Sequence, residues 1–207
     1  GGVLTGYLGA ASQAPALARL IDAIRAVRPD MVYLCDPVMG DNGALYVPEA
    51  TAAAIRDHLA PRADILTPNL TELGYLAGSA PTTRDGIIAT ARALSARRVA
   101  VTSALRAGGE TETLLVTAER VLAARHLLVD GRVPNGTGDL FAALLLGHLA
   151  GGAGDGEALQ RATATLVDLL GAARRLGSDE LPIAALQASI VAAQASVALL
   201  DEASLEP

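Results

Sequence analysis

The sequence predicts an α/β protein, a three-layer αβα sandwich around a mostly parallel central sheet, folded as a single domain over residues 1–207. Three observations predict it. The strand-like segments are short, continuous apolar runs, the pattern of strands covered on both faces. They alternate with longer segments of helical apolar spacing. Several of them also run straight into polar residues, and the C-terminal strand ends are where such sheets bind ligands.

The elements follow in order. Residues 3–8 are a short apolar run closing at Gly9, a strand end and turn. Residues 15–27 place Leu17, Leu20, Ile21, Ile24 and Val27 at helical spacing, with Pro15 suited to a first turn and Pro29 as the stop. Residues 31–35 read as a buried strand, 36–43 as a loop and 48–59 as a second helix. A second buried strand over 63–66 leads into Thr67-Pro68-Asn69. A short helix over 70–76 ends at Gly78, and a longer one over 82–96 has Thr82 or Thr83 as its cap. Residues 99–101 form a third strand running into Thr102-Ser103. Residues 114–117 and 121–126 read as a strand pair, residues 136–149 as a helix, and two further Ala/Leu-rich helices follow.

Composition narrows the function classes. Hydrophobic residues make up 51% of the chain but aromatics only 2%, so the core is built from Ala, Leu, Val and Ile. The net charge of −6 gives no electrostatic reason to expect a nucleic acid or an anionic membrane as partner. Any phosphate site is therefore made locally, from backbone dipoles and bound cations. The single cysteine, Cys35, excludes an internal disulfide and a cysteine-based zinc cluster. No apolar run reaches membrane-spanning length without Gly, Pro or charge, and no secretory leader is visible, which together point to the cytoplasm. His58, His126 and His148 lack metal-ligand spacing, and Arg97-Arg98 and Arg174-Arg175 read as solvated.

Three strand ends carry candidate site residues: Asp36; Thr67-Pro68-Asn69 with Glu72; and Thr102-Ser103. In a parallel sheet these lie along one edge. Asp36 and Glu72 would share a cleft and repel unless a cation lies near them. Magnesium carried by ATP supplies such a charge, since it takes a few carboxylates together with phosphate oxygens and water. Each residue also has an ordinary structural reading. Asp36 before Pro37 suits a turn, and Asn69 with Glu72 suits a capping box. The densest segment is Gly136-Thr137-Gly138-Asp139 at a helix start. Its glycines let backbone N–H groups converge on an anion, and the helix N-terminus adds partial positive charge. Asp139 stands beside that hole, where a carboxylate can accept the proton of an attacking hydroxyl; it can equally complement the helix dipole. No Gly-Lys-Ser/Thr follows, so this is not a Walker loop. Asp41 reads as a turn residue within reach of a cation near Asp36.

Five segments, in order, resemble the pyridoxal kinases of the ribokinase-like superfamily. They are Leu4-Thr5-Gly6-Tyr7-Leu8-Gly9, Cys35-Asp36-Pro37-Val38-Met39-Gly40-Asp41, Ala63 to Glu72 with its Thr-Pro-Asn, Val101-Thr102-Ser103, and Gly136-Thr137-Gly138-Asp139-Leu140-Phe141. The resemblance implies that Asp139 is the base toward the 5′-hydroxymethyl of pyridoxal and that Gly136, Thr137 and Gly138 hold the γ-phosphoryl group. It implies that Asp36 and Glu72 organise magnesium and phosphates, with Asp41 and Thr67 as further cation ligands. Asn69, Thr102 and Ser103 would contact ATP, and Tyr7 would lie beside the vitamin ring. It further implies a monovalent cation (K+ or Na+) and a homodimer.

The family's N-terminal strand, ring-contacting Ser and Thr-containing lid find no counterpart here, so this chain by itself is expected to bind pyridoxal weakly. Pro134-Asn135 also departs from the hydrophobic residues the pattern has there. Two alternatives stand beside this reading. One is a hydroxymethylpyrimidine or hydroxymethylpyrimidine-phosphate kinase of the same fold, which typically carries Cys at the position of Asp139 and a Lys-Gly-Gly-His run near Val101; this sequence has neither. The other is a non-catalytic or decayed vitamin-binding fragment.

Overall fold

The computed structural model describes residues 1–129 and 133–202. Its main sheet has seven strands in the order β1-β2-β5-β6-β7-β8-β9. The strands are β1 (Gly2–Thr5), β2 (Val32–Cys35), β5 (Ile65–Leu66), β6 (Arg98–Ala107), β7 (Glu110–Val116), β8 (Val121–Leu127) and β9 (Ala198–Asp201). A two-stranded ribbon, β3 (Gly40–Asp41) with β4 (Ala44–Leu45), turns at Asn42-Gly43, where both residues have positive φ. β1, β2, β5 and β6 pair in parallel, and β6 to β9 pair antiparallel, so five of the seven strands point one way.

Helices cover both faces. On one lie α1 (Gln13–Val27), α2 (Glu49–Ala54), α3 (Leu70–Ala77) and α4 (Arg84–Ala93); on the other lie α5 (Thr137–Ala150) and α6 (Asp155–Leu176), followed by the short α7 (Gln187–Val191). Side chains alternate along the strands and so feed two cores. Tyr33, Cys35, Leu66, Val99 and Val101 pack in the first, and Leu34, Ile65, Ala100, Leu115 and Leu122 in the second. This is the expected three-layer sandwich. Tyr33 and Phe141 are the largest of its fully buried side chains; Ala, Leu, Val and Ile supply most of the rest. No described helix is long and apolar enough to cross a membrane.

Several elements differ from the sequence expectation. β6 runs on past residue 101, because Gly108-Gly109, both at positive φ, close a tight hairpin that pairs Ala107 with Glu110. The helix expected over 48–59 gives way after Ala54 to a π-turn (Ile55–Leu59) and a 3₁₀ turn (Ala60–Arg62) containing Pro61. The two further helices expected after residue 149 are α6 and the short α7, and a strand that the sequence reading did not include, β9, follows them; its Ala/Leu-rich sequence has no period that separates strand from helix. Arg98 is not simply solvated but pairs with Asp155 at 2.8 Å.

The antiparallel half is tied by charge. Glu112 on β7 is buried and accepts hydrogen bonds from Arg84 and Arg125, and Arg84 also reaches Glu202 at 2.9 Å. Burial pushes the Glu112 carboxyl up, but the two guanidinium groups win and hold it below the ordinary range. Its stabilisation is therefore present at neutral pH and lost as pH falls through that lowered value. Glu112→Ala removes the carboxylate shared by two guanidinium groups, leaving Arg84 with Glu202 and Arg125 with the more distant Glu110, and is expected to destabilise the fold by about 2 kcal/mol. That is less than the ~3–5 kcal/mol of a fully buried pair, because both arginines are partly exposed. Denaturant unfolding checks this, and the loss should shrink toward acidic pH.

Candidate functional site

The C-terminal ends of the parallel strands open onto one cleft of about 450 Å³. Asp36, Asp41, Thr67, Asn69, Glu72, Thr102, Ser103, Gly136, Thr137, Gly138 and Asp139 all line it. Of the residues singled out from the sequence, Tyr7 alone stands outside this lining, and it is 63% exposed. Asp36 follows the last residue of β2, and its N–H continues the ladder by donating to the Thr5 carbonyl at 2.8 Å. Its Oδ1 accepts the Thr67 hydroxyl at 2.9 Å. Its Oδ2 is buried and has no hydrogen-bond partner among the described residues. The start of α5 faces that oxygen, since a Cβ built on Gly138 would stand 3.7 Å from it.

Glu72 fulfils both of its readings. It closes the capping box of α3: Asn69 Oδ1 accepts from the Glu72 N–H at 3.0 Å, and Glu72 Oε2 accepts from the Asn69 N–H at 2.9 Å. Glu72 Oε1 accepts from the Met39 N–H at 3.0 Å, and Asn69 Nδ2 donates to the Gly40 carbonyl at 2.8 Å. The cap thus clamps the 36–43 loop against the start of α3 and turns Glu72 toward the cleft. Asp41 is exposed in β3, its carboxylate engaged by Asn42. Thr102 bridges to Asn69, its N–H donating to Pro68, and Ser103 sits at φ 49° where the β6–β7 register shifts. At the start of α5 Gly136 takes φ 83°, and no side chain among the described residues caps that helix. The first-turn N–H groups of that helix are left for a ligand.

Burial pushes the Asp36 carboxyl up to about 7; Thr67 opposes this, while the charges of Glu72 and Asp139 add to it. Burial likewise raises Glu72 to about 7 against its backbone hydrogen bonds, with Asp41 adding. Both groups hold a proton more tightly folded than unfolded. The stability from this is full below about pH 4 and lost as pH rises through about 7. Asp36→Asn is therefore expected to keep more of its stability between pH 5 and pH 8 than the parent chain does in chelator. Calorimetric unfolding at the two pH values measures the difference, and parallel losses in both proteins would contradict it.

Sequence reasoning missed several lining residues. Tyr46 follows β4 and stands among the carboxylates. Arg106 lies beyond the β6 irregularity, in the strand extension that was not foreseen. Thr163, Leu166, Leu170 and Arg174 form a stripe along α6; Arg174 lines the cleft, where the sequence reading had it solvated. Helical spacing identifies such a stripe, but only packing shows what it faces. The acidic groups gather at the β2–α3–α5 end, and Arg106 and Arg174 lie along the β6–α6 side.

A mostly parallel sandwich with carboxylates at its strand ends and a glycine-flanked helix start defines a ribokinase-like scaffold. The model of the phosphomethylpyrimidine kinase family matches residues 2–184, and the chain belongs to that family, where it is similar to pyridoxal kinases. Pyridoxine/pyridoxal/pyridoxamine kinase of Bordetella avium is 44% identical over 186 residues, 86% of this chain and 62% of that protein. Pyridoxal kinase PdxY of Rubrobacter xylanophilus is 38% identical over 200 residues, 93% of this chain and 69% of its own length. Pyridoxal kinase from Leishmania donovani, solved in complex with ADP and pyridoxamine, superposes with a TM-score of 0.87 at 27% identity. That match covers 97% of this chain and 74% of that one. The chain thus spans less than two thirds of the Bordetella protein.

Proposed function

We propose that the chain phosphorylates the 5′-hydroxymethyl group of pyridoxal or a related vitamer, with ATP as donor. The observation that carries this is the meeting of Asp36, Glu72 and Asp139 with the uncapped start of α5 in one cleft. In this reading Asp139 accepts the proton of the acceptor hydroxyl. The backbone N–H groups at Gly136, Thr137 and Gly138 hold the negative charge of the γ-phosphoryl group as it moves to that oxygen. Asn69, Thr102 and Ser103 meet the nucleotide, with Arg106 and Arg174 supplying positive charge along the same wall.

The unpartnered Oδ2 of Asp36 fits a cation site. Asp36 and Glu72 would hold magnesium, with Asp41 and Thr67 beside them and a monovalent cation as the second ion. Magnesium, when bound, neutralises the phosphate charge. Tyr7, exposed beside Gly6, would lie against the vitamin ring when it is bound. A single kinase domain and a cytoplasmic location complete the reading, and the family resemblance supports a homodimer.

The test is ATP-dependent formation of pyridoxal 5′-phosphate, followed by its absorbance. Phosphorylation of hydroxymethylpyrimidine in preference to pyridoxal would overturn the proposal, as would the absence of transfer to any of pyridoxal, pyridoxine and pyridoxamine.

A further inference from the structure

Gly6, the residue after β1, has no conformational need to be glycine. Its φ lies outside the left-handed region that other residues avoid, so an alanine could adopt its backbone. Space is what a side chain there would lack. A Cβ built on Gly6 would stand 3.1 Å from Asp139 Oδ1 and 4.0 Å from Val38 Cγ2, with no other atom within 4 Å. The first distance is tighter than about nine in ten real Cβ contacts, so the carboxylate would have to give by a few tenths of an ångström. Elsewhere in the chain, close-fitting glycines answer to packing: at Gly40 and Gly74 a Cβ would strike backbone carbonyls at 2.5 Å. Among the described glycines, Gly6 is the one whose added Cβ would come within 3.4 Å of the Asp139 carboxylate.

We infer that Gly6 is a positioning residue, whose missing side chain keeps Asp139 Oδ1 in place and open to the acceptor hydroxyl. The inference rests on the proposed role of Asp139. The carboxylate sits on the first turn of α5 and Gly6 on the loop after β1, so two elements far apart in sequence meet at one oxygen. A methyl group at Gly6 would fill the place beside Oδ1 from which a hydroxyl must donate, or would turn the carboxylate away. The shift needed is a few tenths of an ångström, and together with the methyl group in the path of the acceptor hydroxyl it would spoil a geometry on which the rate depends steeply. The nucleotide side of the cleft, at Thr102, Ser103 and the α5 N–H groups, does not touch Gly6 and should be unaffected.

The experiment compares the parent chain with Gly6→Ala, Asp139→Asn and the double variant. Its readouts are kcat/KM for pyridoxal at saturating MgATP, ADP affinity by calorimetry, and the unfolding midpoint. Gly6→Ala is expected to lower kcat/KM at least tenfold while ADP affinity stays within twofold and the midpoint does not fall. In the Asp139→Asn background the same change should cost less than twofold, because it acts through the carboxylate. A Gly6→Ala protein within twofold of the parent, beside an impaired Asp139→Asn, overturns the inference alone. So does a loss that repeats in full in the double variant, or one that comes with a lower midpoint and weaker ADP binding. Near-normal turnover by Asp139→Asn overturns the base assignment first and this inference with it, as does a parent chain without measurable transfer.

Discussion

Asp139→Asn is expected to lower turnover by roughly 10²-fold or more, the usual scale for loss of a general base. The substitution keeps the shape of the side chain and removes both its charge and its ability to take a proton. Asp139 is exposed to the cleft on the first turn of α5, so the change leaves no buried group unsatisfied and the fold should tolerate it. ADP binding should survive, because the donors at this helix start are backbone N–H groups. The comparison is kcat for pyridoxal against ADP affinity. Turnover within a few fold of the parent would rule out Asp139 as the base, and a parallel loss of ADP binding would mean that it holds the nucleotide instead.

Glu72→Gln is expected to cost stability as well as cation dependence. From the sequence, this change looks like a clean removal of one charge from a metal site. The structure makes it something else. Both carboxylate oxygens accept backbone N–H groups, of Met39 and of Asn69, in a position only 4% exposed. A protonated carboxyl still has an acceptor on each oxygen, whereas an amide nitrogen has none. Whichever way the amide is placed, one N–H group meets another. One buried donor, of Met39 or of Asn69, is left unmatched, at about 1–3 kcal/mol. A destabilisation of roughly 1–3 kcal/mol in denaturant unfolding should therefore accompany any change in magnesium dependence. An unchanged unfolding midpoint with altered magnesium dependence would show that Glu72 serves the ion and not the clamp.

The same residue shows how far sequence can be read. The Asn69-Leu70-Thr71-Glu72 spacing spells a capping box wherever it occurs, and α3 carries it as read. The apolar runs of β2 and β5 and the period of α1 were equally legible, because local sterics and burial set them. What was not legible depends on contacts distant in sequence. β9 became a strand because β8 offered an edge to pair with, and the Ala/Leu composition of residues 198–201 did not announce it. Arg174 and Arg98 read as solvated because a charge run shows no face until its neighbours are packed.

The sequence by itself determined the layer order and which residue types stand at the strand ends, since the alternation of apolar runs and helical stripes leaves a buried parallel sheet as the way to cover both faces. Only the tertiary structure decided what those residues do to one another. It left Asp36 Oδ2 buried without a partner and turned both oxygens of Glu72 onto backbone donors. It also set the bare Cα of Gly6 against the carboxylate of Asp139. Distances between side chains on separate strands depend on sheet register and on the docking of α5. Both are fixed by the packing of the whole core, which no local stretch of sequence encodes.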